Sequence, residues 1–273
     1  MLIGCGENYR LSSGFIRQIN SVFCGWPWIP DSPLTGPPIY EVKISSKISK
    51  LARPLTYRRA WRRAQRHFFP LPLGPVRRAI DPLRLRQIQQ RYQGSSAGDA
   101  KYADIEVWLR LNRERVQDLC LHRSSPKRVL DLGCGGGFFL LILKTLGHSV
   151  LGLDTERAPL FTELVDLFDI PRIIWMIKPF EPLPDFEGKF DWITAFSVCF
   201  NVDRSTGRVW GSQEWDFLLR DLQRQLGSGG KLFFGLNPRH SGNYYTPELR
   251  DFFLSRGATV ERERIFFARG VKI

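Results

Sequence analysis

The stretch Val129-Leu-Asp-Leu-Gly-Cys-Gly-Gly-Gly-Phe-Phe139 holds the residues best suited to chemistry in this 273-residue chain. An apolar strand pattern ends at an acid, Asp131, and glycines follow at Gly133, Gly135, Gly136 and Gly137. Glycine lets a backbone turn sharply and approach a ligand with no Cβ in the way. The helix that follows such a turn presents free N–H groups at its start. A turn of GxGxxG spacing, built for dinucleotides, needs its third glycine at position 138, where Phe138 stands. The spacing present is Asp-x-Gly-x-Gly-x-Gly. A second apolar strand, Val150-Leu-Gly-Leu-Asp154, also ends in an acid, 23 positions after Asp131. Cys134 reads as a small residue of the turn, since nothing near it in sequence supplies a base to make its thiolate.

Around these residues the pattern is that of an α/β domain from Lys101 onward. Asp104 to Leu121 carries Ile105, Leu109, Val116 and Cys120 along one helical side. Apolar strand segments then alternate with helices: the strand ending at Asp131, the helix to Leu146, the strand at Val150–Asp154, and a helix around Pro159–Phe168. Strands at Arg172–Ile177, Phe190–Phe196 and Gly229–Leu236 follow, with helices starting near Ser212 and Thr246 and strand-like segments from Thr259. Buried strands alternating with helices predict a doubly wound, mostly parallel sheet with helices on both faces.

The glycine turn followed by the second acid resembles the class I S-adenosylmethionine-dependent methyltransferases, whose pattern is an acid and GxGxG after the first strand. The resemblance continues through Phe190-Asp-Trp-Ile-Thr-Ala-Phe at the fourth strand and Leu226-Gly-Ser-Gly-Gly-Lys-Leu before the fifth. There Ser228 replaces the proline of the family's Leu-x-Pro-Gly-Gly. It reaches Thr246-Pro-Glu-Leu-Arg and Gly257-Ala-Thr-Val-Glu and covers roughly residues 101–273. It implies a Rossmann-like fold that binds S-adenosyl-L-methionine. Gly133, Cys134, Gly135 and Gly137 would run beside the methionine part and ribose. Asp131 would order the turn and meet the ammonium group, and Asp154 would take the ribose hydroxyls. The loop after the third strand, Lys178-Pro-Phe-Glu-Pro-Leu-Pro, makes Phe180 and Glu181 the adenine candidates, where family members often have an Asp.

The acceptor belongs beyond the carboxyl ends of the strands, which points to Ser197–Arg204 and Asn237–Tyr245. His240 is the general-base candidate by residue type. Asn201 is the candidate to orient an acceptor, and Tyr244 and Tyr245 are candidate walls. Amino-methylating nucleic-acid enzymes of this class carry Asn/Asp-Pro-Pro-Tyr after strand four, where Ser197-Val-Cys-Phe stands. Cys199 follows Val198 rather than a proline, unlike a cytosine-methylating nucleophile. No Cys/His cluster or carboxylate/His group suggests a metal.

The formal net charge of +13 is unevenly placed. Residues 1–100 hold 16 Lys and Arg against 5 Asp and Glu, and Lys43–Arg91 holds 14 basic residues and one acid, Asp81. Residues 1–50 read as a Pro/Gly/Trp-rich arm, 51–100 as a basic helical extension and linker, and 101–273 as the catalytic domain. Tyr57, Trp61, Ala64 and Phe68 fall on one helical stripe, with Arg58, Arg59, Arg62, Arg63 and Arg66 on the other face. Three uses compete for the basic segment: nucleic acid, an anionic membrane surface, or a stripe packed on the catalytic domain beneath a solvated basic face. The last is favoured. No apolar run reaches the ~18 residues of a membrane span, the N-terminus does not read as a signal peptide, and the five scattered cysteines suit a reducing, cytoplasmic setting. The expectation is a methyltransferase acting on a small-molecule or glycan-like acceptor at oxygen. The alternatives are an RNA methyltransferase using the basic arm and a non-catalytic S-adenosylmethionine-binding regulator.

Overall fold

Seven strands form one sheet in the order β3-β2-β1-β4-β5-β7-β6: β1 (Arg128–Leu132), β2 (Ser149–Asp154), β3 (Arg172–Ile174), β4 (Phe190–Val198), β5 (Leu226–Leu236), β6 (Thr259–Glu261) and β7 (Arg264–Phe267). The sheet is mostly parallel, as the alternation of apolar strands and helices predicts, and Rossmann-like. β1 pairs parallel with β2, and β2 with β3. β7 runs antiparallel between β5 and β6. The strand order reverses after β1, and sheets of this kind bind ligands at the carboxyl ends of strands at such a reversal. The computed structural model describes residues 54–273 apart from 96, 97, 99, 203–206 and 239–241. The Pro/Gly/Trp-rich stretch 1–50, parts of the 93–99 linker and the base candidate His240 therefore lie outside the described residues. Among the described residues no helix is long and apolar enough to cross a membrane.

These residues form two units, 54–175 with 189–192 and 176–188 with 193–273. The first holds β1–β3 and helices α1 (Pro54–Phe68), α2 (Gly74–Arg78), α3 (Pro82–Tyr92), α4 (Ile105–Asp118), α5 (Phe138–Thr145) and α6 (Pro159–Leu167). Helix α5 begins directly after the glycine turn and buries Phe138 to Leu143 without a break, as a helix packed on a sheet must. Asp81 caps α3, its Oδ1 accepting from the N–H of Leu83 at 2.8 Å and of Arg84 at 3.2 Å.

The basic segment is tied to this unit by its arginines. Arg66 donates to Asp118 at 2.9 Å and lies 3.5 Å from Glu114. Arg77 clasps Glu106 through two bonds of 2.8 Å. Arg91 reaches Glu163 at 2.5 Å, and the Tyr92 hydroxyl donates to the same carboxylate at 3.0 Å. Val76, Ile80 and Ile88 are buried between these anchors. The favoured reading of α1 is reversed by this arrangement. Its Arg66 side faces α4, while Tyr57, Trp61 and Phe68 are 62%, 66% and 71% exposed. The acids on α4 draw the arginine side of α1 inward, so the aromatic stripe points outward.

Before β1 the chain is fastened by His148. Its Nδ1 accepts from the Lys127 N–H at 3.0 Å, and its Nε2 lies 3.2 Å from the Leu121 carbonyl, to which it donates. Burial pulls this imidazole below its ordinary 6.5, against the Leu121 hydrogen bond, and burial lowers His122 as well. Folding therefore resists protonation that the unfolded chain accepts. This contribution to stability is complete above the ordinary histidine value and is lost as pH falls below it. The melting temperature is expected to drop between about pH 7 and pH 5, and His148→Gln to flatten that dependence; identical slopes for the two proteins would exclude His148 as the cause.

The second unit holds most of β4, strands β5–β7, and helices α7 (Ser212–Gln225) and α8 (Pro247–Ser255). Its core is aromatic. Trp215 is fully buried and its ring lies 5.7 Å from Trp210 and 5.2 Å from each of Phe234 and Phe253. Buried Asp221 on α7 accepts the Leu183 N–H at 2.7 Å and pairs with Arg224, which fastens the 176–188 loop.

Candidate functional site

The end of β1 and the end of β2 build one small site in the first unit. Asp131 is 3% exposed within β1. The chain then turns on Gly133 (φ +74), Gly135 (φ +54) and Gly137 (φ +75), conformations that a residue with a Cβ resists. The Gly133 N–H donates to the Leu153 carbonyl at 2.7 Å, so the turn is hung from β2. At the tip of β2, Asp154 Oδ2 accepts from the Gly135 N–H at 2.5 Å and Oδ1 from the Thr155 N–H at 2.7 Å. A carboxylate offers roughly four acceptor positions. With one backbone bond on each oxygen, Asp154 keeps one free position per oxygen, the count a diol needs. A Cβ built at Gly133 meets nothing within 4 Å, so the turn opens to space there, whereas at Gly135 it meets the Phe161 ring at 3.6 Å.

Electrostatics divide the two acids. Burial raises Asp154 above the ordinary carboxylate value, while the Thr155 and Gly135 N–H groups and the Arg172 charge oppose that rise. Arg172, at the start of β3, donates to the Thr162 hydroxyl at 3.0 Å, and its Nη1 is buried with no hydrogen-bond partner among the described residues. Asp131 faces Arg115 of α4, whose guanidinium is desolvated to a pKa of about 10 and held up by Asp131 and Tyr102; it stays charged at neutral pH. Cys134 is buried, and burial together with Asp154 and Asp131 pushes its thiol well up. It is a protonated packing residue, and its Sγ fills the space over Gly152 that a side chain on β2 would take.

The turn is backed by an aromatic shelf. Phe161 of α6 meets the Tyr102 ring edge-on at 4.7 Å, and Tyr102 stacks on Trp108 at 4.1 Å. The structure thus brings Asp131, Gly133, Cys134, Gly135, Gly137 and Asp154 together. The sequence reading passed over Arg115 and Arg172. A signal for Arg115 existed: it lies seven residues after Trp108, on the edge of the apolar side of α4.

Phe180, Glu181 and Asn201 belong to the second unit. Phe180 is 52% exposed, has a left-handed backbone (φ +60), and meets the Phe217 ring edge at 6.0 Å. Glu181 pairs with Lys178 at 3.1 Å. Asn201 is buried and its carbonyl accepts from the Trp210 N–H at 2.9 Å. Next to it, Val202 bridges Val209. The segment after β4 is further tied to the segment after β5. Asn237 Nδ2 lies 3.0 Å from the Ser197 carbonyl, 3.2 Å from that of Val198 and 3.1 Å from Cys199 Sγ. Ser197 itself holds φ +55, a strained conformation of the sort that persists where surroundings enforce it.

Beside this knot a cavity of ≈ 600 Å³ opens between the residues leading into α7 and those of α8. Trp210, Tyr245 and Phe252 give it aromatic walls, and Ser212, Glu248 and Asp251 give it polar groups. Of the sequence candidates it contains Tyr245, and Glu248 belongs to the Thr246-Pro-Glu-Leu-Arg stretch; Trp210 and Asp251 carry no motif that marks them. Among the described residues no group of three or more His, Cys, Asp or Glu is placed to hold a metal ion.

Residues 104–248 match the family model described as a methyltransferase domain. The chain is 28% identical over 109 residues to a tRNA U34 carboxymethyltransferase of Campylobacter hominis, covering 39% of this chain and 35% of that protein. It is 32% identical over 127 residues to a ubiquinone biosynthesis O-methyltransferase of Nitrosococcus oceani, covering 45% and 50%. It is 31% identical over 128 residues to the O-antigen chain terminator bifunctional methyltransferase/kinase WbdD of Escherichia coli, covering 43% and 17%. The matches thus span half or less of each relative's length. Among solved structures, an O-methyltransferase family protein from Burkholderia thailandensis is similar at 15% identity and a TM-score of 0.42, over 66% of this chain and 62% of that one.

Proposed function

The chain belongs to the family of S-adenosylmethionine-dependent methyltransferase domains, and from that premise we propose that it methylates a small-molecule or glycan-like acceptor at oxygen. S-adenosylmethionine, when bound, supplies a methyl group already activated on a sulfonium. The residues at the ends of β1 and β2 suit it. Asp154 offers its two free acceptor positions to the ribose hydroxyls. Gly133, Gly135 and Gly137 leave the backbone bare beside the methionine part, with Cys134 packed beneath. Asp131 attracts the ammonium group while Arg115 balances its charge. Phe180 and Glu181 remain the adenine candidates, Asn201 the residue to orient an acceptor, and His240 the candidate to take a hydroxyl proton. What the protein contributes to such a transfer is alignment and, at a hydroxyl, removal of a proton.

One observation favours a small acceptor over RNA: three of the arginines of 54–92 that would track phosphates are engaged. Arg66, Arg77 and Arg91 are each paired with a carboxylate of the same unit. The name of one relative, a ubiquinone biosynthesis O-methyltransferase, agrees with transfer to oxygen, and that of another, an O-antigen chain terminator, with a glycan-like acceptor; the tRNA-modifying relative supports the alternative. The cavity between α7 and α8 is the acceptor site in this reading, with aromatic walls to cover a ring and carboxylates to accept hydroxyls.

The test is methyl transfer from labelled S-adenosylmethionine into fractionated cell extract. Label is expected in the metabolite or glycan fraction. Label confined to RNA would replace this reading with the RNA one, and no transfer with intact cofactor binding would favour the regulator. Ser212→Trp, which fills the cavity, is expected to lower kcat/KM for the identified acceptor about tenfold, on the order of 1.4 kcal/mol, with unchanged cofactor affinity. Unchanged kcat/KM would move the acceptor elsewhere.

A further inference from the structure

The outward row on α1 is the largest feature that methyl transfer leaves unused. Tyr57, Trp61 and Phe68 share one helical line, and Phe69, just past the helix, is 69% exposed. The row is held outward, because the opposite side of the helix is anchored by Arg66 on Asp118 and by the Gln117 amide, which donates to the Phe69 carbonyl at 2.9 Å. Turning the aromatics inward would break both. Arg63 and His67 are exposed along one flank of the row. Helix α1 contains no acid, and the wider segment Lys43–Arg91 has one acid against 14 bases.

We infer that α1 with Phe69 is an interfacial helix that docks this protein on an anionic phospholipid surface without crossing it. The charge selects the surface: basic flanks are attracted to acidic headgroups near the membrane. Tyrosine and tryptophan beside phenylalanine suit the boundary between headgroups and acyl chains, where an amphipathic helix lies in the plane. An RNA groove would instead need cations aligned along the row between the aromatics, and here Arg66, Arg77 and Arg91 are engaged by carboxylates.

The experiment uses the full chain and vesicles of phosphatidylcholine with or without phosphatidylglycerol. Co-sedimentation is expected with phosphatidylglycerol present and not with phosphatidylcholine alone, weakening as salt rises. The triple change Tyr57→Ser, Trp61→Ser, Phe68→Ser should reduce vesicle binding at least about tenfold and Arg63→Glu less, both with unchanged S-adenosylmethionine affinity and melting temperature. No binding to phosphatidylglycerol vesicles, or undiminished binding by the triple variant, overturns the inference. A melting temperature lowered by the triple change would show that the chain itself covers the row. Dissociation of a dimer by it would assign the row to a second copy, and loss of RNA binding would assign it to nucleic acid; each of these also overturns the inference.

Discussion

Asp154→Ala lowers the affinity for S-adenosylmethionine at least about a hundredfold in calorimetry, near 3 kcal/mol. The figure follows from what the side chain holds. Hydrogen bonds to a charged group contribute roughly 1.5–3 kcal/mol each, and Asp154 has two acceptor positions for the ribose diol. The same carboxylate also accepts the N–H groups of Gly135 and Thr155, so removing it releases the glycine turn as well. Asp154→Asn keeps one acceptor oxygen, but its amide must turn N–H bonds toward N–H groups. Its affinity is expected between those of the parent and the alanine variant. An unchanged affinity in Asp154→Ala would take the residue out of the site, and binding of NAD in place of S-adenosylmethionine would remove the cofactor assignment with it.

The pH dependence of that binding has a definite sign. Burial raises Asp154 above the ordinary carboxylate value, with Arg172 pulling the other way. Hydroxyl donors favour the ionised carboxylate, so the cofactor binds the deprotonated form and lowers the group's pKa. Affinity therefore falls as pH drops through the raised value, and binding near that pH releases a proton. Arg172→Leu should move the fall to higher pH.

The glycine turn and its two acids were legible because they are local. An acid, three glycines at alternate positions and a second acid at a strand end each carry a physical requirement that only a few residue types meet. The turn's positive φ angles at 133, 135 and 137 are that requirement seen in the backbone. Helix α3 was legible for the same reason, with Asp81 as cap and Pro82 at its first turn. The outward face of α1 was not. Periodicity identifies which residues share a stripe, yet which face packs depends on acids more than 45 positions away, at Glu114 and Asp118. The partners of Arg115 and Asn237 and the cavity between α7 and α8 were hidden likewise: Asp131, Ser197 and the paired helix ends meet them only through the fold.

Gly152→Ala is expected to cost about 3 kcal/mol of stability, the upper end for forcing a methyl into a packed interior, and to weaken S-adenosylmethionine binding although residue 152 is not among the proposed cofactor residues. A Cβ there would stand 2.6 Å from Cys134 Sγ and 3.2 Å from both Cys134 Cβ and Leu140 Cδ1. Leu140 is fully buried in α5 and cannot yield. Relief must come from Cys134, whose N–H, with that of Gly133, hangs the glycine turn from the Leu153 carbonyl. Strain on β2 thus passes into the turn proposed to carry the cofactor. Cys134→Ala deletes the sulfur responsible for the shortest approach, so the double variant should recover most of the lost stability and affinity. In a double-mutant cycle by urea unfolding the coupling should exceed about 1 kcal/mol. Additive effects, or a Gly152→Ala protein as stable as the parent, would show that the thiol is not what requires glycine on β2.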